Sequence, residues 1–489
     1  MAVVGHQPVP DDMGDTARAL SDDEDSASNS DTGNIEHLES DFSVGDSTDH
    51  PAMVWETGRA PEKGMSSLEA TMSLITAIVG AGIMALPQLP KKGGFVPVIL
   101  LSFAGALAVL EGSGAYVKAH DAWNRTQKAH MITFEEYGVA AAGRCGGLLV
   151  RVLQIGWFTG LCSGFTVLMG RICTTMFGYF TYRAWIGCFA PFLWFLCMLR
   201  DLTAIAKLVP IGVIGAFGSA AMIIAAGWGA QNTWSDWPEE DIERVHTLGP
   251  IGFMPLGSCT ATLFGAYCVM GSVPPIISEM RHPKKFPKAF KTAMFTTAVL
   301  YTGVIVIGYW GYGNFIHSDI TLSLSYTPAS ATEAFTVPPT QWTGKKQVFA
   351  AMVLSFCVLS NLVLSYPLCM MSVFVSIQNL TCAKEGCQPG AMRNYLMRTS
   401  LVITTMLIAL AVPDFGTLFS VFAAVCGPAQ GVFVPILFGA IIRKKVGAKG
   451  SSAIRWIYHA FLLAFATFCL VIGFIDSFMS LLKSLGSSE

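Results

Sequence analysis

From Met65 onward the chain alternates long apolar runs with short polar intervals, and that spacing predicts helices that cross a bilayer. Crossing roughly 30 Å of hydrocarbon takes about 20 apolar residues in a helix. Eleven runs meet the requirement, at approximately 66–89, 95–117, 148–176, 185–199, 208–228, 251–278, 292–312, 348–377, 395–412, 415–442 and 453–480, the fourth needing help from its flanks. Two of them are interrupted. The first reads Leu74, Ile75, Thr76, Ala77, Ile78, Val79, Gly80, Ala81, Gly82, Ile83, with Pro87 and Pro90 behind it. The sixth reads Phe264, Gly265, Ala266, Tyr267, Cys268, Val269, Met270, Gly271, Ser272, Val273, Pro274, Pro275. In hydrocarbon a broken helix leaves amides and carbonyls unpaired, which is costly unless they line a protected cavity or grip a ligand. Small residues also serve close helix packing, but their recurrence in both halves points to hinges. The second break comes five spans after the first. An odd number starts the second half on the opposite face of the membrane, which is inverted-repeat geometry. Helix halves of this kind aim amides at a substrate carboxylate and leave carbonyls for a cation, so they suit a small zwitterion.

Residues 1–63 are different material, rich in Asp, Glu, Ser and Gly, with an acidic run at Asp22, Asp23, Glu24 and Asp25 beside Ser26, Ser28 and Ser30. This composition predicts a disordered acidic tail, whose serines are candidates for a kinase or a trafficking partner. The segment lacks the basic start and apolar centre of a signal peptide. Over 489 residues, 52% are hydrophobic and only 13% charged, with a mean hydropathy of +0.52. A soluble protein carries about twice that share of charge. The formal net charge of −2 and the lack of basic runs with interleaved aromatics exclude nucleic acid as a partner. With the tail in the cytoplasm, 23 of the 31 lysines and arginines fall on the cytoplasmic side, the orientation such a bias favours. Eleven spans then place the C-terminus outside. The plasma membrane is the default location, with an acidic organelle membrane as the alternative.

The 13 cysteines lie mostly in apolar runs and form no secreted disulfide framework. Cys382 and Cys387 have no nearby histidine or second pair, so no metal is expected. No His-Glu-x-x-His or Gly-x-Ser-x-Gly occurs, which argues against an enzyme and against a cofactor.

The first-span sequence Ile78 to Ile83 with Pro87 and Gly94-Phe95 resembles the signature of the amino acid/auxin permeases, which include the sodium-coupled neutral amino acid transporters and plant amino acid permeases. Phe264 to Met280 with Pro283, Lys284, Phe286, Pro287 and Lys288 is similar to that family's sixth span and following loop. Gly308, Tyr309, Gly311 and Gly313 resemble its seventh span, and Pro413 to Gly416 the start of its tenth. The resemblance covers most of the chain after the tail. It implies an all-α membrane domain at 64–489: a five-plus-five inverted repeat of the leucine-transporter type (about 66–228 and 251–442), with one extra C-terminal helix at about 453–480, working by alternating access. It also implies substrate contacts at Ile78, Val79, Gly80, Ala81 and Gly82, faced by Phe264, Gly265 and Tyr267, the last as an aromatic lid or simply a packed tyrosine.

Two departures bear on the coupling ion. The sodium-coupled branch carries asparagine where this chain has Thr76, and Cys-His where it has Val269 and Met270. Protons are therefore the expected coupling ion. Sodium stays open through span-one carbonyls and span-eight hydroxyls near Ser360, with Ser360 and Asn361 equally readable as interhelical hydrogen-bond partners. For protons, ionisable groups at membrane depth are the candidates: Glu111 as the deepest, then Glu69, Asp476 and Glu279. Glu111 is as readily an ion-pair partner of an inner-loop Lys or Arg. Arg171 either snorkels to the interface or contacts an outer gate. The absence of a carboxylate near the breaks predicts a neutral amino acid substrate, with a cationic one (arginine or lysine) as the alternative. A nutrient-sensing transporter-receptor is the third reading.

Overall fold

The computed structural model describes residues 64–80, 82–127, 131, 133–198, 209–317, 320–337, 341–344, 347–381, 391–412, 414–448 and 452–486. All belong to the second of two units, Gly58–Glu489. The tail 1–63, with the kinase or trafficking partner expected for it, and Ala81 lie outside the described residues.

Span one is two helices. α1 (Ser67–Ile78) opens on a capping box: the Ser66 hydroxyl accepts from the Glu69 amide and the Glu69 carboxylate from the Ser66 amide. Glu69 therefore closes a helix end. After the break come α2 (Gly82–Ala85), a 3-10 turn at Leu86–Gln88 and α3 (Leu89–Gly93), bent by 44° from α1. Pro87 and Pro90 stand in the first turns of these pieces, where no amide is needed. Gly94 has φ +82°, and a Cβ there would lie 2.4 Å from the Gly249 carbonyl carbon, so only glycine lets the chain turn into α4 (Phe95–Gln127).

α5 (Phe134–Phe177) spans 44 residues because two helices meet at Ala142 and Gly143, where the backbone is not helical. α6 (Tyr182–Met198), α7 (Val209–Ala230) and the short α8 (Glu239–Glu243) follow. Span six breaks in turn. α9 (Phe253–Tyr267) ends where Cys268 turns extended, and a 3-10 turn at Met270–Ser272 leads into α10 (Val273–Glu279). α11 (Phe286–Tyr312), α12 (Ile320–Ser325), α13 (Ala331–Thr336), α14 (Val348–Thr381) and α15 (Ala391–Ala411) come next. α16 (Phe415–Pro428) passes through a π-helical stretch, Ala429–Phe438, into α17 (Gly439–Lys445). Pro435 within that stretch has no amide for an ordinary helical bond, and the wider ladder accommodates it. α18 (Ala453–Gly486) is last.

Eleven full crossings are not found. Among the described residues nine helices are long and apolar enough to cross a membrane, or ten with the bent pair of span one taken as a single crossing. The difference is α6, an apolar helix of which 17 residues, Pro191 among them, are described; Leu199, expected to extend it, lies outside the described residues. The architecture is an all-α, multi-span membrane fold. Exposed apolar side chains at helical spacing, such as Leu100, Phe103 and Leu107 on α4 and Ile454, Ile457 and Phe461 on α18, face where lipid would be.

α9 lies against α16, α18 and α4, while α14 packs on α7 and α5. The additional helix α18 is thus a wall of span six. A Cβ at Gly257 would meet Ile472 at 2.7 Å and one at Gly473 would meet Ala261 at 2.7 Å, so small residues set this close approach. At the end of the bundle where span one begins, Met65 forms a parallel bridge with Met280: its amide donates to Glu279 at 2.8 Å, and its carbonyl accepts from Arg281 at 2.9 Å. The start of span one and the end of span six are pinned together there.

Candidate substrate site between the two broken spans

Ile78, Gly80 and Gly82 from span one and Gly265, Ala266 and Cys268 from span six line one cavity. Trp157, Leu161 and Phe165 of α5 and Phe419 of α16 close it. Its free space is about 10 Å³, room for roughly one water. A molecule the size of an amino acid would fit only if an aromatic wall moved. A Cβ at Gly80 would lie 2.9 Å from the Phe165 ring, so the bare glycine is what lets that ring close over the break.

The broken backbones also leave carbonyls at the helix ends. Ile78 is the last residue of α1, and Ala266 stands one residue from the end of α9, so each carbonyl belongs to a helix C-terminus that has lost its downstream partners. The Tyr301 hydroxyl of α11 donates to the Ile78 carbonyl at 2.7 Å, and the Ala266 carbonyl lies 3.4 Å from the same oxygen. With one proton to give, the hydroxyl bonds the nearer carbonyl and holds the two helix ends side by side. Carbonyl ends of helices attract cations. The indole Nε1 of Trp157 is buried without a hydrogen-bond partner among the described residues, and a donor of this kind suits a carboxylate.

Among the residues expected at the site, Ile78, Gly80, Gly82 and Gly265 line the cavity; Val79, Phe264 and Tyr267 are buried but do not line it. The Phe264 ring packs toward α18, 5.6 Å from the Phe465 ring centre. Tyr267 shares a 2.9 Å hydrogen bond with Ser102 of α4, and its ring lies 5.2 Å from that of Tyr301. Tyr301 and Trp157 did not stand out from the sequence.

The coupling candidates divide between two places. The Thr76 hydroxyl bonds the Met72 carbonyl at 3.0 Å within α1, and its own carbonyl accepts from Ser365 at 3.4 Å. Ser365 also lies 3.3 Å from Asn361 Oδ1, while the Asn361 amide donates to the Gly212 carbonyl of α7 at 2.9 Å. Ser360 bonds Cys357 within α14 at 2.8 Å and faces α7, where a Cβ at Gly215 would sit 2.5 Å from its oxygen. The span-eight hydroxyl that reaches span one is therefore Ser365, one turn beyond Ser360. The oxygens gathered there are the type that hold a small hard cation. Among the described residues no cluster of His, Cys, Asp or Glu suits a metal ion.

Glu111 is engaged elsewhere. Its Oε1 accepts from Arg455 Nε at 3.0 Å, Arg455 Nη2 at 2.9 Å and His459 Nε2 at 2.9 Å, tying α4 to α18. Arg171 is half-buried on α5 with its Nε unpartnered among the described residues. It lies six residues past Phe165, about 9 Å along the helix axis.

Residues 63–485 match the family described as transmembrane amino acid transporter protein. The amino acid transporter AVT3B of Arabidopsis thaliana is 25% identical, with 80% of this chain and 90% of that protein covered. The lysine histidine transporter-like 3 of the same plant is 25% identical over 78% and 82%. The proton-coupled amino acid transporter-like protein pathetic of Drosophila melanogaster is 23% identical over 86% of each chain. Among solved structures, a nucleobase-cation-symport-1 family transporter in a closed conformation with bromovinylhydantoin bound aligns with a TM-score of 0.49 at 13% identity, covering 87% of this chain and 93% of that one. With nearly the whole membrane domain matched, the chain belongs to the transmembrane amino acid transporters of the amino acid/auxin permease family, which move solutes and are not enzymes.

Proposed function

We propose that this protein is a secondary active transporter of neutral amino acids, driven by protons, working by alternating access in a five-plus-five inverted repeat. The observation that carries the reading is that residues of both breaks line one cavity with no charged side chain in its lining, together with Trp157, whose indole donor has no partner among the described residues. An α-ammonium fits the carbonyl ends and an α-carboxylate fits donors such as Trp157 and the amides beyond the breaks. A side chain with no charge fits the remaining apolar wall. The small free space corresponds to a closed conformation, and movement of Phe165 or Phe419 would open it to one face at a time.

Proton coupling is supported by Glu111, an ionisable group on a membrane span held by Arg455 and His459, and by the name of the Drosophila relative. The cytoplasmic tail rests on the lysine and arginine distribution, and the plasma membrane is the default location, with an acidic organelle membrane as the alternative. A cationic amino acid is the second reading. The name of the lysine histidine transporter-like relative favours it, and the aromatic walls Trp157 and Phe419 offer faces for a cation.

Radiolabelled uptake into proteoliposomes, run over a panel of amino acids with and without proton and sodium gradients, tests the proposal. Saturable uptake of a neutral amino acid driven by protons is expected. Arginine or lysine uptake would replace the substrate while keeping the mechanism, and no uptake from folded protein would sink the transporter reading. In the same assay Glu111→Gln is expected to cut proton-driven accumulation about tenfold or more, while counterflow exchange of labelled for unlabelled substrate persists. Undiminished accumulation would move the coupling group away from Glu111.

A further inference from the structure

The lipid-facing stripe of α4 changes character toward the end of the helix. Leu100, Phe103 and Leu107 are exposed and apolar, and the same helical spacing continues through Glu111, Gly114 and Lys118, all half-buried. A Cβ at Gly114 would meet nothing within 4 Å, so the stripe has an open notch between its carboxylate and its ammonium. Across a groove stands α18, whose Arg455 reaches Glu111 Oε1 with Nε and Nη2 and whose His459 joins it at 2.9 Å. The π-helical stretch Ala429–Phe438 packs on both α4 and α18 and forms the floor, and α17 packs on α4 beside it.

Positive charge gathers at the mouth of this groove. Lys118 lies within electrostatic reach of Arg443 on α17, of Arg455 and of Glu111, so three cations meet one carboxylate. That carboxylate is already engaged by Arg455 and His459. Of the other acids nearby, Glu136 closes the capping box of α5 and Asp121 lies 3.7 Å from His120. Arg455 uses Nε and Nη2 on Glu111, and its Nη1 has no protein partner among the described residues. A small soluble anion would answer the charge and leave the rest of the groove bare. Both walls continue into apolar side chains that face lipid, Leu107 on α4 and Ile457 and Phe461 on α18. Leu107 and Lys118 are about 16 Å apart along the helix axis, so charge and apolar surface follow one another in the order of a phospholipid headgroup and its chains. Trp456 and Tyr458 are exposed in the first turns of α18, the residue types that mark the boundary between membrane and water. The lysine and arginine distribution assigns this end to the cytoplasm, where basic pockets between membrane helices take anionic headgroups.

We infer that the groove between α4 and α18 binds one anionic glycerophospholipid. Lys118, Arg443 and the Nη1 edge of Arg455 hold its phosphate, the notch at Gly114 seats its glycerol, and its chains lie along Leu107 and Phe461. The lipid is a third member of the contact between the two helices and supports the Glu111–Arg455 bridge from outside. This goes beyond the transporter reading and does not depend on it, because the binding is measured without transport.

Native mass spectrometry of the full-length protein in detergent, with phosphatidylglycerol and phosphatidylcholine added in equal amounts, tests the site. The wild type is expected to retain one phosphatidylglycerol with about tenfold preference over phosphatidylcholine. Lys118→Gln/Arg443→Gln removes the charge, and Gly114→Leu fills the notch with the charge intact; each is expected to abolish the preference. Lys284→Gln/Lys285→Gln removes the same charge from two exposed lysines of another loop and is expected to keep it. A cooperative thermal unfolding transition in each variant shows that it is folded. Equal retention of the two lipids by the wild type, or a preference kept in both groove variants, overturns the inference. Equal loss in the Lys284/Lys285 variant overturns it in favour of overall surface charge, and displacement of the lipid by soluble glycerol 3-phosphate overturns it in favour of a soluble anion.

Discussion

Tyr301→Phe is expected to slow uptake about five- to hundredfold while the protein remains folded and inserted. The substitution keeps the ring, with its 5.2 Å contact to Tyr267, and removes only the hydroxyl. That hydroxyl is the partner of the Ile78 carbonyl at 2.7 Å and the nearest donor to the Ala266 carbonyl at 3.4 Å. A buried acceptor left unsatisfied costs about 1–3 kcal/mol, and each 1.4 kcal/mol is about tenfold in an equilibrium. The cost falls on the closed state, because only there are the two helix ends held side by side against α11. Once either half-helix swings away, water reaches its carbonyl and the hydroxyl is no longer needed. The variant should therefore populate closed states less and bind substrate more weakly, with little change in expression. Uptake within twofold of wild type would mean that Tyr301 packs the bundle without tying the breaks.

The membrane class and the two breaks were legible because glycine and proline stand out in apolar runs, where few other residues interrupt a helix. Gly80, Gly82 and Gly265 line one cavity. What surrounds the breaks was hidden for a physical reason. Trp157, Tyr301 and Ser365 sit in uninterrupted spans where indole, phenol and hydroxyl read as packing, and only the approach of a freed carbonyl or an empty cavity distinguishes them. Glu111 was expected to have a cationic partner as one of two readings, and Arg455 provides it from 344 residues away. His459, one turn beyond Arg455, completes the cluster, a helical spacing that sequence displays but whose target it does not. Glu69 shows the reverse case. Ser66 and Glu69 carry the capping-box spacing, and that local signal outweighed its apparent depth in the span. The span count differs at α6, whose described residues, Tyr182–Met198, number 17 and include Pro191.

Gly265→Ala is expected to reduce uptake at least about tenfold, by a route distinct from Tyr301. A Cβ at position 265 would lie 2.3 Å from the Ala423 Cβ and 3.0 Å from its Cα, against the roughly 3.5–4.0 Å at which carbon atoms rest. The opposing atoms belong to helix α16, which cannot rotate out of the way like the tip of a long side chain. Gly427, one turn further along α16, faces the same point, since a Cβ there would lie 2.8 Å from the Gly265 amide nitrogen. One methyl must therefore push α9 and α16 apart by an ångström or more, and overpacking of this kind costs about 1–3 kcal/mol. The displacement occurs where α9 approaches its break, so it shifts the Ala266 carbonyl and Phe419 together and spoils the closed cavity before it threatens the fold. The contact itself supplies the control. Ala423→Gly removes the nearer of the two clashing atoms, so the double variant Gly265→Ala/Ala423→Gly should recover a substantial part of the uptake lost by the single one. If Gly265→Ala transports like wild type, the closed packing of α9 on α16 is not a state that the transport cycle visits.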